Sequence, residues 1–208
     1  MMRFLTTSLL FLLLLSGCAV STIKGLPETE TQIETFSNPY FSNPTTDYVY
    51  KAKINAFKNV FGGILIIKKI KENNHRVVFT TNFGNKIFDF ELDNNQVTTH
   101  FVLKELDRKI ILNTLQRDFK TLIQEHHPVL KTYDSGENLI YQSKSIKRFN
   151  HFEVSKKSGI LTKITHTSRS KEKVIITFSK TENYLARHII IDHKNAPIKI
   201  ALDYLNSN

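Results

Sequence analysis

The sequence predicts a mainly β protein: a curved antiparallel sheet, or unclosed β-barrel, with one main α-helix packed on its concave face. Three observations predict this fold. About ten short stretches alternate polar and apolar residues or are rich in β-branched residues. Turn-forming Gly, Asn and Asp separate many of them, and only one segment, in the middle of the chain, has a helical period.

The first 18 residues have the features of an export signal. Arg3 precedes the apolar run 4–15, and Leu15-Ser16-Gly17-Cys18 follows. The run is shorter than the roughly 20 apolar residues that span a bilayer, so it predicts a signal peptide, 1–17, that is removed. Leu-Ser-Gly-Cys resembles the lipobox of bacterial lipoproteins, which implies a diacylglycerol on the thiol of Cys18. An ordinary secretory signal beside a chance cysteine is the alternative, but the chain has no second cysteine for a disulfide.

Residues 18–46 are expected to form the lipidated cysteine and a flexible tether. They contain Pro27, Pro39 and Pro44 and many Ser, Thr and Asn, with no sustained period. The β domain is therefore predicted to span 47–208.

The first strands follow directly. Tyr48–Ala56 alternates with one polar face, and Ile64–Ile67 is an apolar run entered through Gly62-Gly63, a pair typical of a bend or bulge. The pattern then predicts a hairpin and one more strand: Arg76–Thr81, Lys86–Leu92 and Val97–Leu103.

The one convincing helix is predicted over Asp107–Gln124. Asp107 is a suitable N-cap, and the apolar residues Ile111, Leu115, Phe119 and Leu122 recur at helical spacing. Pro128 follows the end of the helix.

Further strands complete the sheet, and short turns between successive strands favour antiparallel pairing. An apolar sheet face needs a cover, and only the helix is available for it. The predicted strands are Leu139–Ser143, Arg148–Val154, Ile160–Thr167, Lys173–Ser179, Ala186–Asp192 and Ile198–Tyr204.

Motifs for catalysis or metal binding are absent from the sequence. The eight histidines form no metal-ligand spacing, and we expect them to be scattered on the surface. A nucleophile elbow and a redox cysteine pair are also lacking. We therefore expect neither an enzyme nor a bound metal or cofactor.

The sequence is rich in phenylalanine, with 15 Phe and no Trp. Large side chains on a curved sheet either fill its interior or enclose an apolar cavity for acyl chains, and both readings stay open. If there is a groove, the candidate ligand-binding residues are Ile64, Ile66, Phe79, Phe88, Phe90, Phe101, Ile111, Leu115 and Phe119.

The positive charge is concentrated in one region. The chain carries a formal net charge of +10, and much of the excess lies in Tyr141–Lys180. These strands could contact anionic lipid headgroups, or their lysines could simply be solvated and block sheet aggregation. Export argues against a nucleic-acid partner.

The acylated cysteine, the meander of strands and the mid-chain helix, over about Tyr48 to Leu205, resemble the lipoprotein-localisation family LolA and LolB. The stretches Phe61–Lys69, Arg76–Thr81 and Gly84–Phe90 are also similar to small lipoproteins of the Bacteroidota. The first resemblance implies an unclosed β-barrel whose helices cover a hydrophobic cavity.

From these features we expect a monomeric, non-enzymatic lipoprotein that binds lipid or acylated lipoprotein cargo. The alternative is a structural or assembly lipoprotein that holds an envelope protein partner and has no lipid cavity. Ala19 and the residues after it carry neither the Asp nor the acidic cluster of other sorting signals, which implies the periplasmic face of the outer membrane.

Overall fold

The computed structural model describes residues 20–93, 96–145 and 148–205. These residues form fifteen strands, one α-helix and a short 3-10 turn at Ser21–Ile23. In chain order the elements are β1 Glu28–Thr29, β2 Thr35–Ser37, β3 Asp47–Ala56, β4 Asn59–Lys71, β5 Asn74–Thr80, β6 Lys86–Asp93, β7 Val97–Val102, α1 Lys109–Ile123, β8 His126–Pro128, β9 Lys131–Asp134, β10 Asn138–Ser145, β11 Arg148–Ser155, β12 Leu161–Thr167, β13 Glu172–Glu182, β14 Leu185–His193 and β15 Ile198–Tyr204.

Thirteen of the strands form one antiparallel sheet in the order β1-β9-β10-β11-β12-β13-β14-β15-β3-β4-β5-β6-β7. β2 and β8 pair separately. The first and last strands of the large sheet, β1 and β7, do not pair with each other, so the sheet is unclosed. The predicted fold class, mainly β with one main helix, is confirmed.

The predicted strands are all present, and most extend by a few residues. The sequence did not indicate β1, β2, β8 and β9, which have only two to four residues each. A strand this short shows no alternation that could be recognised.

The sheet curves strongly around α1. Asp118 of the helix contacts His193 of β14, while the next residue, Phe119, packs on Phe88 of β6 with ring centroids 5.5 Å apart. β14 and β6 are five strand spacings apart in the sheet, which is about 24 Å in a flat sheet at about 4.8 Å per spacing. Two adjacent helical residues reach both strands only because the sheet wraps around the helix.

One side of the sheet is a continuous apolar inner face. Side chains that face each other across successive strand pairs share a face, and the row running from Phe152 through Ile164, Ile176, Ile191 and Ile200 is buried throughout. The apolar stripe of α1, including Leu115 and Phe119, is buried with these residues in a single core.

The helix begins later than predicted. α1 starts at Lys109, and its N-cap is Arg108, which makes no side-chain hydrogen bond to the helix. Asp107 belongs instead to the preceding turn, because its backbone N–H donates to the carbonyls of Leu103 and Lys104.

Residues 20–46 differ from the expected flexible tether. Tyr40 and Phe41 are each only 1% exposed. The Tyr40 hydroxyl donates to the carbonyl of Leu161 at 2.6 Å, and the Asn38 side chain donates to the carbonyl of Leu122 at 2.9 Å. The aromatic residues of this segment have no period, so their burial could not be recognised as that of a strand or helix.

Gly62 and Gly63 do not form a bend or bulge. Both lie inside β4 and pair regularly with Lys53 and Ala52 of β3. The reason for a glycine here is a close backbone approach: a Cβ on Gly63 would lie 1.8 Å from the carbonyl oxygen of Thr80.

Candidate functional site

Six of the nine predicted groove residues lie together in the interior. Phe79, Phe88, Phe90, Leu115 and Phe119 are fully buried, and Ile111 is 2% exposed. They come from β5, β6 and α1 and belong to the common core.

The other three predicted residues lie elsewhere. Ile64 and Ile66 are half-buried on the outer face, because the inner positions of β4 are Leu65 and Ile67. Phe101 is 40% exposed and pairs with Asp89 on the same outer face. Because side chains alternate along a strand, choosing the wrong starting residue by one position assigns every side chain to the opposite face.

The six buried groove residues fill the interior between helix and sheet. The rings of Phe88 and Phe90 stack with centroids 4.4 Å apart and planes 7° apart. Phe79 packs on Phe88 at 5.4 Å, and Phe119 approaches from the helix. In this conformation an acyl chain would have to displace these contacts.

An open cleft of about 570 Å³ lies beside this packed interior. One wall is the polar side of α1, including Arg117 and Lys120, and the other is formed by β10, β11 and β12. At this end the inner face of the sheet changes from apolar to polar: Asn150 faces His166, and both line the cleft. We call it the cationic cleft, because Arg117, Lys120, Lys144 and Arg148 all line it.

The lining of the cationic cleft carries charge of one sign only. It includes four cationic side chains, and among the described residues none of the lining side chains is acidic. The nearest carboxylate to Arg117 is that of Asp118, 4.0 Å from its Nε. The sequence did not predict the cleft, since its basic residues come from two segments about 30 residues apart. The concentration of basic residues in 141–180 was the available signal, and it includes Lys144 and Arg148.

A chain of hydrogen bonds orients Arg148 at the cleft. His166 Nδ1 lies 2.6 Å from Oδ1 of Asn150, and its Nε2 lies 3.3 Å from Nη1 of Arg148. Because the guanidinium can only donate, Nε2 accepts and Nδ1 carries the proton. Burial, together with the nearby cations Arg148 and Arg117, lowers the pKa of His166 to about 4, so the ring is neutral in this arrangement.

The surroundings of Arg117 disfavour the charged form of its guanidinium. Burial lowers its pKa, and the positive charge of Arg148 lowers it further, while Asp118 opposes both effects. Nε of Arg117 is buried and has no hydrogen-bond partner. Asp118 is itself engaged, since its Oδ2 accepts a hydrogen bond from His193 Nε2 at 2.7 Å.

The histidines are mostly buried, contrary to the expectation of scattered surface residues. His75, His127, His151 and His166 are each at most 4% exposed, and the His193 side chain is 3% exposed. Each accepts or donates a specific hydrogen bond, for example His127 Nε2 to the carbonyl of Gln124 at 3.1 Å. In the described part of the chain no group of three or more His, Cys, Asp or Glu is placed to hold a metal ion.

The predicted lipidation site, Cys18, lies outside the described residues. Within the described ranges, none of the helical structure is long and apolar enough to cross a bilayer.

Comparisons with known proteins show the fold. Neither a protein-family model nor a curated protein matches the chain. A crystal structure of a LolA superfamily protein from Nitrosomonas europaea is similar over 81% of this chain and 88% of that one, with a TM-score of 0.52 and 12% sequence identity. A domain from Vibrio parahaemolyticus, provisionally described as an outer membrane lipoprotein-sorting protein, aligns over 77% of this chain and 83% of its own, with a TM-score of 0.43 and 7% identity. The chain thus has a LolA-like architecture, as the sequence resemblance implied.

Proposed function

We propose that this protein is a non-enzymatic outer-membrane lipoprotein that binds lipid or acylated cargo between α1 and the inner face of its sheet. One observation carries the proposal: a curved sheet presents a continuous apolar face, and a single amphipathic helix covers it. The LolA-like fold supports it, together with the resemblance of the sequence to the lipoprotein-localisation family LolA and LolB. In this proposal residues 1–17 are removed and Cys18 carries the lipid anchor.

The helix α1 acts as the lid. An acyl chain would replace the apolar stripe of α1 against Phe79, Phe88 and Phe90, with a gain of about 0.8 kcal/mol per buried CH₂. The polar contacts between α1 and the sheet include the Asp118–His193 pair and the hydrogen bond from Gln116 to Thr99 at 2.7 Å. Opening the lid costs these contacts and the helix packing, so a ligand must bury enough CH₂ groups to offset the cost.

Lipid binding is tested on the full mature chain with Cys18 replaced by Ser. We expect saturable binding of a fluorescent long-chain fatty acid, displaced by unlabelled fatty acid, and lipid extracted from the purified protein by organic solvent. A chain that carries no lipid and gives no saturable signal would refute the proposal.

The anchor is tested separately in cells. The variant Cys18→Ser, placed behind a signal peptide that the general signal peptidase removes, should leave the membrane fraction and appear in the soluble periplasm. The wild-type chain in the same cells should label with radioactive palmitate. Retention of the Cys18→Ser variant in the outer membrane would contradict the assignment of Cys18.

A second candidate is a structural or assembly lipoprotein that binds an envelope protein and has no lipid cavity. The stacked, fully buried Phe88 and Phe90 favour it, because they fill the interior. Recovery of one recurrent outer-membrane protein with the purified chain, without bound lipid, would support this candidate over the first.

A further inference from the structure

Arg117, Lys144 and Arg148 bring more positive charge to the cationic cleft than the neighbouring carboxylates neutralise. Among the described residues, no carboxylate lies within ion-pair distance of Lys144 or Arg148, and the Asp118 carboxylate near Arg117 is already bonded to His193. Elsewhere in the basic stretch, Lys156 pairs with Asp134 at 2.7 Å and Lys163 pairs with Glu153. Lys144 and Arg148 line the cationic cleft without such a carboxylate partner from the residues that the structure describes.

Two buried side chains behind Arg148 fix its position in the cleft. The buried Asn150 and His166 orient Arg148, and neither of these two side chains carries a charge that would neutralise it. Arg117 stands across the cleft on α1, with a buried Nε that has no partner. Two arginines whose charges disfavour each other are stable together if an anion lies between them.

The size of the cleft selects among anions. A volume of about 570 Å³ is far larger than a bare inorganic ion needs and falls in the range of small-molecule sites, about 300–1,000 Å³. A polar group at one end of an organic molecule would meet the arginines. The remainder of the molecule would extend along α1, whose opposite side covers the apolar inner face of the sheet.

We propose that the cationic cleft binds the phosphate of an anionic phospholipid headgroup, with Arg148 and Arg117 donating to its oxygens from opposite walls and Lys144 at the rim. Phosphate fits because a guanidinium donates two parallel hydrogen bonds to it. The inference rests on the proposed function, because it assigns the headgroup of the same ligand whose acyl chains enter beneath α1. It also gives the orientation of the bound lipid, with its headgroup at β10–β12 and its acyl chains beneath α1.

The test is calorimetric titration of the full mature chain, carrying Cys18→Ser, with three soluble probes. These are dihexanoyl phosphatidylglycerol, sn-glycerol 1-phosphate and the uncharged dihexanoylglycerol. We expect saturable binding of the phosphatidylglycerol, at least tenfold tighter than either other probe and weaker at higher salt.

The variant Arg148→Gln should weaken binding of the phosphatidylglycerol by tenfold or more, which is the loss of one charge-assisted contact. Lys144→Gln should weaken it by less, since this side chain lies at the exposed rim. Lys156→Gln is the matched control: it removes one positive charge from the same basic stretch, away from the cleft, and should leave the affinity unchanged. Equal thermal unfolding midpoints establish that each variant is folded.

The outcomes separate this inference from the proposed function. If dihexanoylglycerol binds as tightly as the phosphatidylglycerol, or if Arg148→Gln and Lys156→Gln behave alike, the headgroup assignment is overturned while lipid binding stands. If glycerol phosphate binds as tightly as the phosphatidylglycerol and depends on Arg148, the cleft is a site for a soluble phosphate ester. That result would overturn the assignment of the phosphate to a lipid headgroup. The absence of saturable binding by all three probes overturns the inference.

Discussion

Gly63 shows how a single missing side chain permits the packing of β4 against the end of β5. A methyl group at this position would overlap the Thr80 carbonyl oxygen, which belongs to the backbone and has little freedom to move. We expect Gly63→Ala to lower the free energy of unfolding in urea by about 2 kcal/mol or more, because backbone must shift to relieve the overlap.

The neighbouring residue supplies a control for that experiment. A Cβ on Gly62 would have no atom within 4 Å. Gly62→Ala should therefore leave stability unchanged or raise it by up to about 1 kcal/mol, because alanine reduces the conformational entropy of the unfolded chain. Equal losses for the two variants would show that the strand interior, and not the close approach, requires glycine.

The buried ring of His127 makes stability depend on pH. Burial lowers its pKa from 6.5 to about 4. As the pH falls below 6.5, the unfolded chain binds a proton that the folded ring does not accept. The folded state therefore loses stability progressively down to about pH 4, by about 3 kcal/mol for this residue in the limit.

This pH dependence is measured by urea unfolding of the wild type and of His127→Gln between pH 7 and 4.5. The variant keeps a donor for the Gln124 carbonyl but has no titrating ring, so its stability should fall with pH less steeply, by up to about 1.4 kcal/mol per pH unit. His126→Gln, at the exposed position next to it, should retain the wild-type slope. A wild-type slope in His127→Gln would assign the acid sensitivity to the other buried histidines.

At the level of elements, α1 lacks a capping side chain at its start. Arg108 has the extended backbone of an N-cap but makes no capping hydrogen bond, and the first turn has no acidic residue. Arg108→Asp should raise the free energy of unfolding by about 1 kcal/mol. A carboxylate there accepts a hydrogen bond from a backbone N–H and interacts favourably with the positive end of the helix dipole. Arg108→Ala, which removes the charge without supplying an acceptor, should give a clearly smaller gain in the same urea titration.

The sequence predicted elements well and the facing of side chains less well, for a reason visible in β4. Tyr48–Ala56 alternates, so its inner residues could be identified from the pattern alone. The run Ile64-Leu65-Ile66-Ile67 does not alternate, so the pattern cannot distinguish the inner Leu65 and Ile67 from the outer Ile64 and Ile66. Which of these residues face inward is decided by the pairing of Gly63 with Ala52 of β3, and this pairing is a property of the sheet, not of the local sequence.

The candidate site was predictable only in its apolar part. The stripe of α1 has a period, so Ile111, Leu115 and Phe119 were correctly expected to face the sheet. The cationic cleft depends instead on Arg148 of β11 and Arg117 of α1 lining the same cleft. No local sequence pattern predicts that two residues this far apart come together.

On the scale of the whole molecule, the N-terminal segment before β3 is a structural part of the domain. Tyr40 packs on Phe178 with ring centroids 4.4 Å apart, and Phe36 stacks on Phe152 at 4.7 Å. A chain beginning at residue 47 should lose several kcal/mol of stability relative to one beginning at residue 20, because it uncovers these buried rings.

The measurement for this prediction is thermal and urea unfolding of the two chains. Tyr40→Phe in the longer chain refines it, because this variant keeps the ring and removes only the buried hydrogen bond to Leu161, worth about 1 kcal/mol. If the chain from residue 47 is as stable as the longer one, the segment is a tether after all.

The pairing of β3 with β15 has a consequence for when the protein can fold. These strands meet inside the sheet, yet they come from opposite ends of the domain: Ala56 faces Ile198 and Tyr50 faces Tyr204. Until β15 has been synthesised, β3 has an unpaired edge and the two parts of the sheet are joined only by the chain itself. Closure of such distant contacts is slow and comes late. A ribosome-bound chain that still lacks β15 therefore cannot complete the sheet, and its two parts stay unpaired until Tyr204 has emerged.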